Sequence, residues 1–459
     1  MNQNILAKLR VNFLSPHTVI FIFLLLLGFE LIVTSKSLSY DFYWDDIHLI
    51  RTYNISELQS VFVGQWDPDH IETAGYRPIT TLFNHARAAV FGEHTLYHRL
   101  FILILLALSL TLFCKILFDC YSVPYVYSTL GCILTISARY NWFNLVWIAD
   151  GIHVLVALLF VLSLWAITTF IQGGGRLAFV LCIGLVSVAL LTREDALALV
   201  ALFPIFGAYY VFLLSRLPVR KNFKNSLNRL GLITASLFIL SMFYVFIHLH
   251  FVPETNILYL SGWVTHIRWS AFPMGSFFYA IWKIILIMIG ITTVIMLPRE
   301  KIYTVFFWIL CLVIAATTGL VKVRTNLILL PIVFFSQLFV YILMEISKRN
   351  TIIKILGAVL LGTVIIVSAR LNMVAQETMN PLSIERIVHT GILMTNPNAS
   401  IPRERVIRMN AEEMKLGIKT DKDMQQLVDL LGYQSQLKIF PQTPLANGLF
   451  MPSILFYDQ

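Results

Sequence analysis

Charged residues and paired cysteines are scarce in this sequence, and each shortage excludes a class of protein. Only 13% of the 459 residues are charged, about half the fraction usual in a soluble domain, whereas 58% are hydrophobic. The five cysteines include no CxxC pair, so their spacing predicts neither a disulfide framework nor a zinc site. The formal net charge of +9 does not indicate a nucleic-acid partner, because the basic residues lie between apolar runs, as they do in membrane proteins.

What the sequence does contain is a series of long apolar runs. The runs are apolar on every side instead of alternating, which favours membrane-spanning helices of about 20 residues over the strands of a barrel. We therefore predict an all-α polytopic membrane protein with about eleven transmembrane helices. The expected spans lie near 17–34, 98–118, 124–138, 151–171, 177–192, 196–214, 231–250, 276–297, 302–320, 327–346 and 352–370.

Basic residues in the short loops predict the orientation in the membrane. One set of loops carries Lys8, Arg10, Arg176, Arg216, Arg220, Lys221, Lys224, Arg229, Arg299, Lys301, Lys348, Arg349 and Lys354. The opposite set carries Arg139, Arg193, Arg268, Lys322 and Arg324. The richer set is expected to be cytoplasmic, which places the N-terminus inside and, with an odd number of spans, the C-terminus outside. The composition favours a bacterial inner membrane.

Two larger polar segments are then expected on the extracytoplasmic face. Residues 1–370 would form the transmembrane module, whose first outer loop covers 35–97. Residues 371–459 would form a small extracytoplasmic helical domain, because apolar residues recur there at helical spacing.

An acidic pair, Asp45 and Asp46, opens the first outer loop, with His48 two residues further on. Adjacent carboxylates close to a membrane face are costly unless they are hydrated, paired or used. One of them could act as a general base on a hydroxyl group or help to hold a divalent cation. The alternative from spacing alone is that both are solvated loop residues or a helix cap.

A second polar signal in this loop is Arg77, which directly precedes Pro78. Because proline is favoured in the first helical turn, the pattern predicts a helix over 77–91 that lies along the membrane interface. Its apolar stripe consists of Ile79, Leu82, Phe83, Ala86 and Val90. Membrane anchoring accounts for the stripe but not for Arg77 or His85.

Charged residues also occupy two very short turns that are expected on the outer face. Arg193, Glu194 and Asp195 lie between two spans, and Lys322 and Arg324 lie in a later turn. Positive charge is disfavoured on this side, so binding of an anionic group such as a phosphate is one explanation. A salt bridge, for example between Arg193 and Asp195, is the other.

In this order, four segments resemble the GT-C superfamily of polytopic glycosyltransferases, in particular the protein O-mannosyltransferases, the aminoarabinose transferases of lipid A and the TMTC-type mannosyltransferases. The segments are Trp44-Asp45-Asp46-Ile47-His48, Tyr76-Arg77-Pro78-Ile79, Thr192-Arg193-Glu194-Asp195-Ala196, and Val323-Arg324-Thr325-Asn326 followed by Leu329-Leu330-Pro331. Each segment is short, and their order and shared outer-face placement carry the resemblance.

The resemblance implies an inverting glycosyltransferase that takes a sugar from a polyprenyl-phosphate donor at the extracytoplasmic face. Asp45 matches the catalytic aspartate of the family, and Asp46 matches the neighbouring acidic position. Arg324 matches a basic residue that contacts the donor phosphate, and Arg193 is a second candidate for that role. The superfamily includes enzymes with and without a divalent metal, so metal use stays open.

These implied roles agree with elementary chemistry. An acceptor hydroxyl is a weak nucleophile and needs a base such as Asp45 within hydrogen-bond reach. The phosphate leaves as a stable anion, so it needs nearby positive charge from Arg324, helped by Lys322 or Arg193, instead of a protonating acid. Arg77 is expected to brace the acidic pair or to touch the sugar.

Three other readings stay open. A flippase or transporter would place its charged site near the midplane and often shows repeated halves, whereas here the charges are expected at one face and the sequence shows no repeat. An O-antigen polymerase or ligase would also use lipid-linked sugars. A non-catalytic scaffold would tolerate changes at Asp45, Asp46 and Arg324. The acceptor stays open among a glycan, a lipid and a protein, because the sequence lacks tetratricopeptide repeats and a large extracytoplasmic domain.

Overall fold

The computed structural model describes residues 15–40, 42, 46–68, 75–216, 223–252, 279–317, 329–348 and 350–378. Every regular element within these ranges is helical, which confirms the predicted all-α class. The helices are α1 (Pro16–Thr34), α2 (Asp46–Leu49), α3 (Ile55–Ser60), α4 (Pro78–Phe91), α5 (Thr95–Tyr121), α6 (Tyr125–Ser137), α7 (Trp142–Val146), α8 (Gly151–Gln172), α9 (Arg176–Thr192), α10 (Ala196–Ser215), α11 (Phe223–Phe251), α12 (Tyr279–Met296), α13 (Arg299–Ala315), α14 (Leu329–Ser347) and α15 (Thr351–Thr378).

Seven of the described helices, α1, α5, α8, α10, α11, α14 and α15, are long and apolar enough to cross a membrane. The chain is therefore a multi-pass membrane protein. Each of the eleven predicted ranges overlaps a described helix, and the two short ranges near 124–138 and 177–192 are α6 and α9. Because α6, α9 and α13 have only 13, 17 and 17 residues, the number of eleven crossings stays a prediction.

Aromatic side chains fill the interior of the bundle. Phe206 on α10 has its ring centroid 5.0 Å from that of Phe307, 6.5 Å from Trp308 and 6.0 Å from Phe334. The last of these belongs to α14, which is buried along nearly its whole length. Since lipid tails are as apolar as these side chains, close packing of the rings stabilises the helix contacts more than exclusion of water does.

Helical hairpins bring different residues to the two ends of the bundle. Because α8 and α9 are joined by a short turn and pack along each other, the start of α8, the end of α9 and the start of α10 share one end. At the other end Gly173, with a φ of 119°, ends α8 in the left-handed region that glycine adopts without strain. We call the end with the starts of α8 and α10 the cluster end, because the charged side chains of Arg77, Arg193, Glu194 and Asp195 lie together there. We call the second the lysine end, because the ion pairs of Lys115, Lys301 and Lys348 lie there.

Helix α4 lies against the cluster end. It begins at Pro78, as predicted, since proline has no amide hydrogen bond to lose in a first turn. Its polar face, which includes Thr80, Asn84 and Arg87, is buried against the protein. The Oγ1 of Thr80 donates to the carbonyl oxygen of residue 192 at the end of α9, 2.6 Å away. The predicted apolar stripe lies on the outer side of the helix, where Val90 is 73% exposed.

The last described helix is longer than the sequence predicted. Helix α15 continues to Thr378, so the domain boundary predicted at 370 falls inside a helix. Asn372 in this extension donates to the carbonyl oxygens of Ile136 and Ala138, at 3.2 and 2.8 Å. Asn372, which follows the apolar run, therefore makes a contact between helices. The predicted tail beyond 378 lies outside the described residues.

Candidate functional site

Asp46 is fully buried at the cluster end, where it opens α2. Its Oδ1 accepts a hydrogen bond from the backbone N–H of Ala149 at 2.5 Å. Ala149 lies in the short segment before α8, so this bond joins the start of the first long loop to the start of a long helix. Asp46 is therefore not the solvated loop residue that spacing alone allowed.

Arg87 on α4 is a buried cation in the same region as Asp46. Its Nη1 donates to the carbonyl oxygen of Ile148 at 2.9 Å, and its Nη2 donates to Oδ1 of Asn84 at 2.6 Å. Burial lowers the pKa of Arg87 from 12.5 to about 10, and the carboxylate of Asp46 opposes that shift. Arg87 therefore stays charged at neutral pH and compensates the buried negative charge of Asp46.

A second buried pair links α4 to the turn between α9 and α10. The Nε of Arg77 donates to Oε1 and Oε2 of Glu194, at 2.9 and 2.7 Å. The two side chains are only 13% and 14% exposed. The guanidinium also lies 5.3 Å from the centre of the Trp66 ring, close enough for a cation–π contact. This pair brings together two of the four segments that carry the family resemblance.

In the pair of Arg77 and Glu194, the charges and hydrogen bonds around each side chain together affect its pKa more than burial does. Burial would raise the pKa of Glu194, but the charges of Arg77 and Arg193 hold it below its ordinary value of 4.5. Burial would likewise lower the pKa of Arg77, but the paired carboxylate of Glu194 holds it above its ordinary value. Both groups are therefore charged over the whole physiological pH range.

The turn between α9 and α10 holds a further ion pair beside the first. Arg193 Nε lies 3.4 Å from Oδ1 of Asp195, and Nδ1 of His153 lies 3.3 Å from the other oxygen of that carboxylate. On its second nitrogen His153 faces Asp150, 3.8 Å away. Burial would raise the pKa of Asp195, but Arg193 and the hydrogen bond with His153 hold it well below 3.8. Burial and the charge of Arg77 lower the pKa of Arg193.

Gly75 lies where the first loop meets the turn between α9 and α10, and a side chain there would crowd the ion pair. A Cβ on Gly75 would lie 2.7 Å from Oε1 of Glu194 and 2.8 Å from Nε of Arg77. The following Tyr76 stacks on Phe251 of α11, with ring centroids 5.1 Å apart. Glycine here lets the chain pass directly over the ion pair.

The structure brings some of the predicted site residues together and leaves others outside its described part. Asp46, Arg77, Arg193 and Glu194 all lie at the cluster end. The backbone of His48 belongs to α2, and its side chain is outside the described atoms. Asp45, Lys322 and Arg324 lie outside the described residues, so their roles stay predictions. The salt bridge between Arg193 and Asp195, one of the two explanations offered for the basic turn, is present.

Arg77 was expected to brace the acidic pair or to touch the sugar. It pairs with Glu194, whereas Arg87 is a cation whose charge acts on Asp46. Three residues of this site, Arg87, Asp150 and His153, were not singled out by the sequence. Arg87 had one available signal, because with Asn84 it lies three residues apart on the helix face opposite the apolar stripe.

No group of three or more histidine, cysteine or acidic side chains with the geometry of a metal site is present among the described residues. No protein-family model and no curated protein matches this chain. The resemblance to polytopic glycosyltransferases stays a hypothesis that rests on the four segments.

Proposed function

We propose that this protein is an inverting glycosyltransferase that moves a sugar from a polyprenyl-phosphate donor to an acceptor hydroxyl at the extracytoplasmic face of a membrane. In this proposal the cluster end is the extracytoplasmic end, about eleven helices cross the bilayer, and α4 lies in the interface with its apolar stripe toward lipid. The acceptor is a glycan, a lipid or a protein.

The observation that carries the proposal is the meeting of segments that are far apart in the sequence. Arg77 and Glu194 pair across 117 residues, and Asp46 reaches Ala149 across 103 residues. Three of the four resembling segments therefore contribute to one end of the bundle. The fourth leads into α14, whose Glu345 lies at the lysine end, so α14 begins at the cluster end as well.

The chemistry assigns different tasks to the two aspartates. Asp46 already holds a backbone N–H and is compensated by Arg87, so the free role of general base falls to Asp45. The departing phosphate is stabilised by positive charge, which Arg324 and Lys322 supply. Arg193 is turned toward Asp195 and serves the site by fixing the turn. One displacement on the sugar predicts inversion at the anomeric carbon, with or without a divalent metal.

Transfer of a labelled sugar from a polyprenyl-phosphate donor pool tests the proposal. Wild type and Asp45→Asn are compared in membranes at equal protein levels. We expect transfer by wild type and a loss of at least about a hundredfold in the variant, because general bases contribute roughly that much or more. Asp119→Asn is the matched control, since Asp119 is a carboxylate at the lysine end that is paired with Lys115; this variant is expected to keep full transfer.

Two results would contradict parts of the proposal. Full transfer by Asp45→Asn would show that Asp45 is not the base and would move that role to Asp46. Absence of transfer by wild type across a broad set of donors would remove the glycosyltransferase assignment itself.

Movement of a lipid-linked glycan across the membrane is the second candidate, and Glu30 is the observation that favours it. Glu30 lies on α1, is fully buried, and neither of its carboxylate oxygens has a hydrogen-bond partner among the described residues. An ionisable side chain inside a span is costly and often marks a transport path. If Glu30→Gln abolishes lipid movement in vesicles while wild type shows no sugar transfer, transport replaces transfer.

A further inference from the structure

One peptide group at the cluster end is held from both sides. Arg87 donates to the carbonyl oxygen of Ile148, and Asp46 accepts from the N–H of Ala149. These two backbone atoms belong to the same peptide unit, which is trans, so they point in opposite directions. The arginine and the aspartate therefore clamp the 148–149 peptide between them. We call this arrangement the peptide clamp.

We propose that Arg87 is a positioning residue for the acidic loop: through the peptide clamp it holds Asp46, at the start of α2, against the segment before α8. This inference rests on the proposed function, because it assigns Asp45 the role of base. Asp45 is bonded directly to Asp46 in the chain, so the position of Asp46 limits the position of its neighbour. Arg87 has no part in the reaction itself.

The surroundings make the clamp specific to arginine. Its guanidinium uses one nitrogen on the Ile148 carbonyl and another on Asn84, a forked geometry that a lysine cannot reproduce. It also lies 4.5 Å from the centre of the Phe83 ring. A Cβ on Gly151 would lie 2.6 Å from Cδ1 of Ile102 and 3.1 Å from Nη1 of Arg87, so the glycine leaves room for both side chains.

A second anchor makes variants of Arg87 suitable for a test. Arg99 on α5 donates through its Nε to the carbonyl oxygen of Val146, 3.1 Å away. This bond holds the same segment and remains when Arg87 is replaced. We therefore expect Arg87 variants to fold and to lose order only locally.

The test compares Arg87→Gln and Arg87→Lys with Arg229→Gln. Arg229 is a matched control at the lysine end, because it also donates to a backbone carbonyl, that of Phe170 at 2.9 Å, and lies over an aromatic ring. We expect kcat for sugar transfer to fall at least tenfold in Arg87→Gln and less in Arg87→Lys, with the donor KM within twofold. Arg229→Gln should keep both constants.

A double-variant cycle separates positioning from a general structural defect. If Arg87 and Asp46 act through one peptide, Asp46→Asn combined with Arg87→Gln should be no worse than the more impaired single variant, because coupled residues are not additive. Hydrogen exchange gives a readout that is independent of activity. The amide of Ala149 should exchange faster in Asp46→Asn and Arg87→Gln than in wild type or Arg229→Gln.

Three outcomes would overturn the inference, and they are distinguishable. Multiplying losses in the double variant would show that the two residues act independently. Unchanged exchange at Ala149 in Arg87→Gln would show that the clamp does not order the segment. Faster exchange at Ala149 in the two variants, combined with no sugar transfer by wild type, would leave the clamp as a structural feature. It would remove the role of the clamp in catalysis together with the proposed function.

Discussion

The two ends of the bundle differ in how far the cations of their ion pairs are exposed to solvent. At the lysine end each cation is partly exposed, by 32% at Lys115, 41% at Lys301 and 54% at Lys348. At the cluster end both partners of the pair between Arg77 and Glu194, which are 117 residues apart in the sequence, are at most 14% exposed.

This difference in exposure indicates different roles for the two sets of charges. Exposed local pairs contribute about 0 to 1 kcal/mol and cost little to keep, which suits charges that only orient helices in a membrane. Buried pairs carry a desolvation cost of several kcal/mol per ion, which hydrophobic replacements would avoid. Charges that remain buried at that cost are the ones for which a specific geometry is needed, and this is why the site is sought at the cluster end.

The largest expected effect comes from breaking the buried pair. Glu194→Gln leaves the buried guanidinium of Arg77 without its carboxylate, so we expect a loss of about 3 to 5 kcal/mol in unfolding free energy. Thermal unfolding in detergent measures the loss. Asp119→Asn is the control at the lysine end and should cost about 1 kcal/mol or less. Equal losses at both ends would contradict the contrast between them.

Acid should destabilise the protein through the carboxylates of the cluster end. The pKa values of Glu194 and Asp195 are lowered in the folded state, so the unfolded state binds more protons and stability falls with falling pH. The stabilisation is present above about pH 5 and is lost as the pH drops through the folded-state values. Melting temperature against pH is the measurement. In a double variant, Glu194→Gln with Asp195→Asn, the melting temperature should fall less steeply as the pH is lowered. An unchanged fall would show that these two carboxylates are not its cause.

A smaller effect is expected where the backbone approaches the pair. Gly75→Ala places a Cβ 2.7 Å from Oε1 of Glu194, so the ends of the Glu194 and Arg77 side chains must shift, and we expect a loss of about 1 kcal/mol. Gly175 at the lysine end has nothing within 4 Å of a Cβ, and Gly175→Ala should change stability by less than about 0.5 kcal/mol. Comparable losses in the two variants would show that Gly75 is not constrained by the pair.

The sequence predicted most of the fold because apolar periodicity and length decide where helices form in a membrane protein. Each of the eleven expected ranges overlaps a described helix, and Pro78 marked the start of α4. Helix α15 runs beyond the predicted end at 370, because polar residues such as Asn372, which donates to a carbonyl oxygen of α6, continue the helix after the apolar run.

The candidate site was less predictable, because its contacts are tertiary. The sequence pointed to Arg77, Arg193 and Glu194, but it did not show that Arg77 pairs with Glu194 across the fold. Arg87 was overlooked because a lone arginine inside an amphipathic helix resembles a solvated one. Only the position of the 148–149 peptide reveals its task.

The smallest effect is expected at the most exposed charge. Lys348→Gln removes one partner of Glu345, but Lys301 remains 3.7 Å from the other oxygen of that carboxylate. We therefore expect a change below about 0.5 kcal/mol in unfolding free energy. The unfolding free energies of wild type and Lys348→Gln are compared at low and at high salt, where the difference should shrink further as the charges are screened. A loss above about 1 kcal/mol that persists at high salt would mean that the lysine end also contains a structurally required charge, and the contrast between the two ends would no longer locate the site.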